Sequence, residues 1–259
     1  MNGLTLEAAL AETIGAIGTP DFVPRVAQAL CRFSDFEHAA AFLHRPRDGG
    51  EVLSDDFSRI GYRTGIENYA RRTYRINPML AAWRGAGAMR ARDFASATPR
   101  IDRTILPFLV RAPEEELGYR TLGWPERQEE VCLYFKGWDG LIELGFYRER
   151  ARRAAPERMI AALNTLGAPI AAAFERHLAL YGAAQWRAPL TGRELEVCEL
   201  LLQGCSSDTI ALRLAISRHT VKDHRKQIFR KLGAGSLAEL FALARCPPLW
   251  RDGARSASA

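Results

Sequence analysis

Residues 190–243 have the sequence LTGRELEVCELLLQGCSSDTIALRLAISRHTVKDHRKQIFRKLGAGSLAELFAL. Four helix starts follow one another in this stretch, and three carry a polar side chain placed to cap them: Thr191 with Glu194, Ser217, and Ser236 with Glu239. Ser206 or Ser207 opens the remaining helix, the second of the four. Gly204 suits the left-handed conformation in which the first of these helices would end. The stretch therefore predicts an all-α domain of four short helices.

The third of these helices has two chemically different sides. At about 100° per residue, one narrow sector holds Val221, Arg225, Ile228 and Leu232. The opposite sector holds His219, Lys222, Asp223, Lys226 and Arg230. One side can pack while the other presents cations. A short helix, a tight turn and a helix of this kind form a helix-turn-helix, whose second helix enters the major groove of DNA.

These residues carry a resemblance to the LuxR-type (GerE-like) helix-turn-helix domain of bacterial transcription regulators. The residues that match are Leu190, Thr191, Arg193, Glu194, Glu196, Val197, Gly204, Ile210, Ala211, Leu214, Ser217, Thr220, Val221, His224, Lys231 and Leu232. The resemblance implies a homodimer that binds near-palindromic double-stranded DNA and contacts RNA polymerase. The alternative is a small helical subdomain with a solvated basic face; the caps, the turn spacing and the cationic sector together favour DNA binding.

The same resemblance, with the helical sectors, assigns roles at the DNA. Lys222, Asp223 and Lys226 are expected nearest the base edges. The side chains expected at phosphates, where helix amino-terminal amides also help, are Ser217, Arg218, His219, Thr220, Arg225 and Arg230. Phosphate repels an acid, so Asp223 either accepts a hydrogen bond from a cytosine amino group or orients a neighbouring lysine.

Charge and length agree with a two-domain protein that binds a polyanion. The 259 residues suffice for one domain of ordinary size and one small domain, and the formal charge is +6. Between residues 189 and 245, nine Lys and Arg stand against six Asp and Glu. This local excess predicts DNA binding that weakens strongly with salt.

Several classes of protein are excluded by missing patterns. The five cysteines form no Cys-x-x-Cys pair, so neither a disulfide framework nor a metal site is predicted. No nucleophile elbow, phosphate-binding glycine loop or paired histidine motif occurs, which argues against an enzyme and against a cofactor. There is no basic leader and no apolar run as long as a membrane span. A cytoplasmic protein without a membrane partner is expected.

The amino-terminal part predicts an α+β domain, an antiparallel sheet with flanking helices. Helices are expected at 4–17, 22–33, 65–78 and from 156 onward, and strands at 37–44, 51–54, 129–135 and 141–148. The apolar stripe of the last helix forms either a dimer seam or a contact with its own sheet. The predicted organisation is a sensing and dimerisation domain at 1–181, a linker at 182–189, the DNA-binding domain at 190–246 and a flexible tail at 247–259.

The amino-terminal region also resembles, more loosely, the PAS- or GAF-like sensing domains of LuxR-type quorum-sensing regulators. Aromatic side chains gather around Pro78, and the residues predicted to bind a ligand are Tyr62, Tyr69, Tyr74, Asn77 and Trp83. Asn77 stands where the lactone-binding members have Asp, so the carboxylate is missing. We therefore expect a divergent sensing domain, as in a LuxR solo, with a ligand other than an acyl-homoserine lactone. The alternative is a ligand-independent regulator whose amino-terminal domain serves only dimerisation or protein interaction.

Overall fold

The computed structural model describes residues 4–45, 49–97, 101–150, 154–182 and 187–245. The chain divides into two compact units, Met1–Arg176 and His177–Ala259. Part of the predicted linker (183–186) and the whole predicted tail (247–259) lie outside the described residues. In the part of the chain described, no helix is both long enough and apolar enough to span a bilayer.

The first unit is built on a five-stranded antiparallel sheet, which confirms the predicted α+β class. The strands of the chain are β1 (His38–Arg45), β2 (Gly49–Asp55), β3 (Gly87–Arg90), β4 (Leu109–Arg111), β5 (Tyr119–Thr121), β6 (Gln128–Gly137) and β7 (Gly140–Glu149). The order in the sheet is β2-β1-β7-β6-β3, while β4 and β5 pair separately. The three short strands β3, β4 and β5 were not among the predicted strands.

The hairpin that joins β6 to β7 is tighter than the gap of residues 136–140 between the strands predicted at 129–135 and 141–148. Gly137 pairs with Gly140, so only Trp138 and Asp139 form the turn. Both have positive φ, 54° and 68°, as in the type I′ turns whose twist matches that of paired strands. Trp138 is held in place because its indole Nε1 donates to the Phe174 carbonyl at 2.9 Å.

One face of the sheet is covered by helices α2 (Phe22–Phe33) and α5 (Glu157–His177), and helix α1 (Leu6–Ala16) packs on α2. Phe174 packs between Phe22 of α2 and Phe135 of β6, with ring centroids 4.9 and 5.0 Å away. The α5 side chains Leu163, Ile170 and Phe174 are completely buried. Of the two alternatives for the α5 stripe, the structure shows packing on its own sheet.

The packed side of α1 consists of small residues rather than of its leucines and isoleucines. The buried residues are Ala9, Thr13 and Ala16, and Ile14 is 64% exposed. Small side chains allow α1 to lie close to its neighbour, and the Thr13 hydroxyl donates to the Ala9 carbonyl.

The opposite face of the sheet is covered by α3 (Arg63–Arg71), a 3₁₀ turn (Thr73–Ile76) and α4 (Pro78–Ala82). The prediction of one helix continuing to Pro78 is wrong: α3 ends at Arg71, and Pro78 begins α4. Proline suits a first helical turn because its missing N–H has no partner there. Asn77 caps α4, since its Oδ1 accepts from the Met79 amide at 2.9 Å.

The second unit contains the four predicted helices, α6 (Gly192–Leu202), α7 (Ser207–Leu214), α8 (Arg218–Leu232) and α9 (Leu237–Arg245). Their core consists of Val197, Cys198, Leu201, Ile210, Val221, Ile228, Ala234 and Leu240. Thr191, Ser206 and Ser217 cap α6, α7 and α8. At α9, Ser236 accepts from the Glu239 amide, while the Glu239 carboxylate binds the Gly235 amide rather than that of Ser236.

Candidate nucleic-acid interface and ligand cavity

A three-residue turn sets the direction of α8 relative to α7. Helix α7 ends at Ala215, which adopts the left-handed conformation with φ 53° and ψ 45°. Two residues later the Ser217 hydroxyl accepts from the Thr220 amide at 3.0 Å and starts α8. A left-handed alanine is not visible in sequence patterns that look for glycine at helix ends.

The inner side of α8 is fixed by apolar packing and by one arginine. Val221 and Ile228 are completely buried. Arg225, predicted at a phosphate, is half-buried and donates from Nη1 to the Ser207 hydroxyl at 3.0 Å. It therefore ties α8 to the start of α7. This position agrees with the sequence analysis, which placed Arg225 on the same side of the helix as Val221 and Ile228.

A buried carboxylate connects α8 to the start of α6. Glu194 is 5% exposed, and its Oε2 accepts from Lys231 Nζ at 2.6 Å and from the Thr191 amide at 2.7 Å. The Lys231 hydrogen bond, followed by that of the Thr191 amide, lowers the pKa of Glu194 to about 2. Arg193 donates to the Leu214 carbonyl at the end of α7, at 2.6 Å. These bonds hold the three helices in one arrangement.

The outer side of α8 is exposed and cationic. The predicted DNA-contacting residues that lie exposed there are Ser217, Arg218, His219, Lys222, Asp223, Lys226 and Arg230, with Thr220 half-buried. Arg218 Nε lies 3.2 Å from Asp208 Oδ1, and Arg230 donates to the Gln227 amide oxygen. Within the described residues Lys222 and Lys226 make no ion pair, so both are available to a ligand. We call this surface the cationic face.

Comparison with known proteins assigns this unit. The family model for bacterial regulatory proteins of the luxR family matches residues 188–244. Residues 188–244 form a LuxR-family helix-turn-helix domain. The resemblance stated from the sequence is confirmed over this range, and the match does not extend to the first unit.

The relatives match only a part of this chain. An HTH-type transcriptional regulator in the exeN 3′ region of Aeromonas salmonicida is 56% identical over 54 residues, 21% of this chain and 28% of that protein. The transcriptional regulatory protein UhpA of Salmonella typhimurium is 37% identical over 90 residues, 35% of this chain and 45% of its own. The match thus spans less than half the length of these relatives. Both are named as transcriptional regulators.

Two solved structures show weak overall similarity. The VqsR LBD domain from Pseudomonas aeruginosa has a TM-score of 0.44 and 14% identity, covering 67% of this chain and 96% of that one. SdiA of Escherichia coli has a TM-score of 0.39 and 17% identity, covering 93% of this chain and 90% of its own.

The five residues predicted to bind a ligand do not line a single cavity. Tyr69 and Asn77 border a partly open cavity of about 80 Å³, which we call the sensor cavity. Tyr74 and Trp83 border a wider cleft beside His44 and Trp138. Tyr62 lies on a third, shallower cleft with Gly123. The residues of the sensor cavity that the sequence did not single out are Thr73, Ala91, Glu115, Glu116, Leu117, Tyr119, Arg120, Thr121, Trp124, Pro125, Gln128, Glu130 and Tyr147.

A buried polar network lies beside the sensor cavity. Glu143 is completely buried and receives hydrogen bonds from Tyr69 at 2.8 Å, while its Oε2 lies 2.6 Å from His44 Nε2. Asn77 donates to the Tyr69 hydroxyl at 2.8 Å. The Asn77 side chain therefore has two roles: its Nδ2 donates to the buried network, and its Oδ1 caps α4. Burial raises the pKa of Tyr69 well above its ordinary value.

Two further groups extend this network toward the cavity. Burial, then the charge of Glu143, raises the pKa of Glu130 to about 8. Cys132 Sγ lies 3.3 Å from Glu130 and 3.6 Å from Glu143, and the three donor atoms lie within 4.8 Å of one another. Glu130 and Cys132 lie two residues apart on β6, and Glu143 lies on the neighbouring strand β7, so all three side chains are on one face of the sheet. The sequence predicted both strands, but it could not show which residues of the two strands lie side by side.

Proposed function

We propose that this chain is a cytoplasmic transcription regulator that binds double-stranded DNA as a homodimer through the cationic face of α8 and contacts RNA polymerase. The observation that carries the proposal is the division of α8: Val221 and Ile228 are completely buried, while Lys222 and Lys226 are exposed and without ion pairs in the described part of the chain. A helix held on one side by a folded core can enter the major groove with the other.

The roles of the exposed side chains follow from their positions. Lys222 and Lys226, one helical turn apart, are proposed to meet base edges, and Asp223 between them to accept from a cytosine amino group or to orient a lysine. Arg218, His219 and Arg230 are proposed to meet phosphates, with Ser217 and Thr220 at the helix start. Arg225 donates a hydrogen bond to Ser207 and so holds α8 against the start of α7, in addition to its proposed phosphate contact.

The experiment compares Lys226→Ala with wild type on DNA. A duplex selected from a random pool and a scrambled duplex are each titrated by fluorescence anisotropy. If Lys226 contacts a base, the substitution should cost about 1 to 3 kcal/mol on the selected duplex and much less on the scrambled one. Arg158→Ala, an exposed cation of the first unit, removes the same charge and should leave both affinities unchanged. Equal losses on the two duplexes would reassign Lys226 to phosphate.

The dimer and the operator symmetry are proposed together. Two copies related by a two-fold axis place two recognition helices about one helical turn apart, which requires a near-palindromic operator. Mass measurement of the complex on a selected duplex should give two chains per duplex. A single chain per duplex with full affinity would refute the dimer.

We further propose that a small molecule in the sensor cavity controls DNA binding. The support is a partly open cavity lined by polar and aromatic side chains next to a buried network. Thermal shift against lactones and small polar metabolites tests this. Full operator binding by ligand-free protein, with no shift by any compound, would favour the ligand-independent alternative.

A further inference from the structure

Four exposed cations lie on the cationic face, and one of them has an acidic partner. Lys222 and Lys226 make no ion pair in the part of the chain described, and Arg230 donates to a neutral side-chain amide. Arg218 lies against a carboxylate, since its Nε is 3.2 Å from Asp208 Oδ1. Of the four cations, Arg218 is therefore the one whose charge an acid of the described residues opposes.

The acidic partner belongs to the preceding helix. Asp208 lies in the first turn of α7, and Arg218 is the first residue of α8. Next to Asp208, the Ser207 hydroxyl accepts from Arg225 Nη1 at 3.0 Å. Two arginines of α8 are thus held by adjacent residues of α7. Because both arginines are proposed to contact phosphates, the start of α7 lies beside the proposed DNA surface.

The pair of Asp208 and Arg218 is open to solvent. The two side chains are 67% and 63% exposed, and exposed ion pairs contribute little stability because water and salt screen them. A phosphate of DNA is an anion that accepts the same guanidinium N–H groups as a carboxylate does. Phosphate can therefore displace Asp208 from Arg218, but it has to compete with Asp208 to do so.

We propose that Asp208 is a positioning residue that holds Arg218 in the free protein and competes with DNA phosphate for it, which lowers the affinity for every duplex. This inference rests on the proposed DNA-binding function and adds a residue that sets the strength of binding. Without Asp208, Arg218 is free to neutralise one more phosphate. Each neutralised phosphate steepens the dependence of log affinity on log salt concentration by about 0.9, so the loss of Asp208 has a measurable signature.

The test measures binding of the full chain to the selected and the scrambled duplex by fluorescence anisotropy, between about 50 and 200 mM salt. Asp208→Asn should bind both duplexes about threefold more tightly than wild type at the lower salt concentration. This advantage should shrink roughly threefold by the upper one, as one additional phosphate contact requires. Asp208→Glu keeps the carboxylate and should restore wild-type affinity. Glu199→Gln, which removes an exposed acid of α6, is the matched control and should leave the salt dependence unchanged.

A mutant cycle with Arg218→Gln separates this role from simple repulsion of DNA by an acid. In the Arg218→Gln background, Asp208→Asn should gain much less affinity, because the two residues act together. Equal gains in both backgrounds, or a gain on the selected duplex alone, would overturn the proposal. A loss of affinity in Asp208→Asn would also overturn it, since that result is expected if the acid only stabilises the first turn of α7. Urea titration of each variant measures that stability.

Wild-type binding to the selected duplex is the reference for all these variants. If the wild-type chain binds no duplex, the proposed function itself fails. If it binds and Asp208→Asn shows neither tighter binding nor a steeper salt dependence, only the role of Asp208 fails.

Discussion

Glu194 shows how much one side chain can fix in a small domain. Its carboxylate accepts from the Thr191 amide and from Lys231, so it both completes a helix cap and connects α6 to α8. The capping box was visible in the sequence because its partners are three residues apart. The contact with Lys231 was not, since it joins residues that meet only after α8 has packed.

We expect Glu194→Gln to lower the free energy of unfolding of the second unit by about 1 to 3 kcal/mol, because it weakens both a cap and a largely buried ion pair. Urea titration followed by circular dichroism measures the change. Lys231→Met and the double variant complete a cycle. A double variant as unstable as the sum of both single variants would contradict a direct coupling.

The same carboxylate gives a pH dependence. The pKa of Glu194 is lowered from near 4.5 to about 2, so its contribution to stability is complete above about pH 4.5 and is lost as the pH falls toward 2. The stability difference between wild type and Glu194→Gln should therefore narrow between pH 5 and pH 3. A difference that stays constant over this range would contradict the pKa assignment.

Helices and strands could be predicted from the sequence where the residues that start, end and pack them lie close together in the chain. The four helices of the second unit follow from caps that act over three residues and from apolar spacing. The elements of the first unit were harder to predict from the sequence. Helix α1 packs through alanines, and Pro78 begins α4, whereas a single helix had been expected to run as far as Pro78. Strands β3, β4 and β5 are three or four residues long, too short for an alternating pattern to emerge.

The cap of α8 should matter for DNA and not only for stability. Ser217→Ala removes the acceptor for the Thr220 amide and should cost about 1 kcal/mol of stability. It should also weaken DNA binding, because the start of α8 carries the proposed phosphate contacts. Ser236→Ala removes the cap of α9 at similar cost and should leave DNA binding unchanged. Parallel urea titrations and anisotropy measurements separate the two effects; equal losses of DNA affinity would refute this role of the α8 start.

At the scale of the molecule, the two units have separate cores. The cationic face could be located from the sequence because one helix contains both its packed and its exposed side. The sensor cavity could not, because Tyr69, Glu116 and Glu130 come from segments that converge only in the folded sheet. Tyr69 and Asn77 were named from a family motif, whereas the acidic lining had no local signature.

We expect the two units to unfold in two separable transitions. Tyr69→Phe removes the donor to buried Glu143 and should destabilise the first unit by about 1 to 3 kcal/mol. Glu194→Gln should shift the second transition. Differential scanning calorimetry of both variants tests the assignment. A single transition that both substitutions shift equally would show that the chain unfolds as one cooperative body.

The most direct test of the DNA-binding claim is the affinity of residues 177–259 alone for a pool of random-sequence duplexes, measured by anisotropy as the salt concentration rises. We predict binding at about 50 mM salt that weakens roughly 100-fold by about 200 mM, as expected when about four phosphates are neutralised. Lys222→Ala with Lys226→Ala should weaken it further. A folded fragment that binds no duplex at the lower salt concentration would contradict the account.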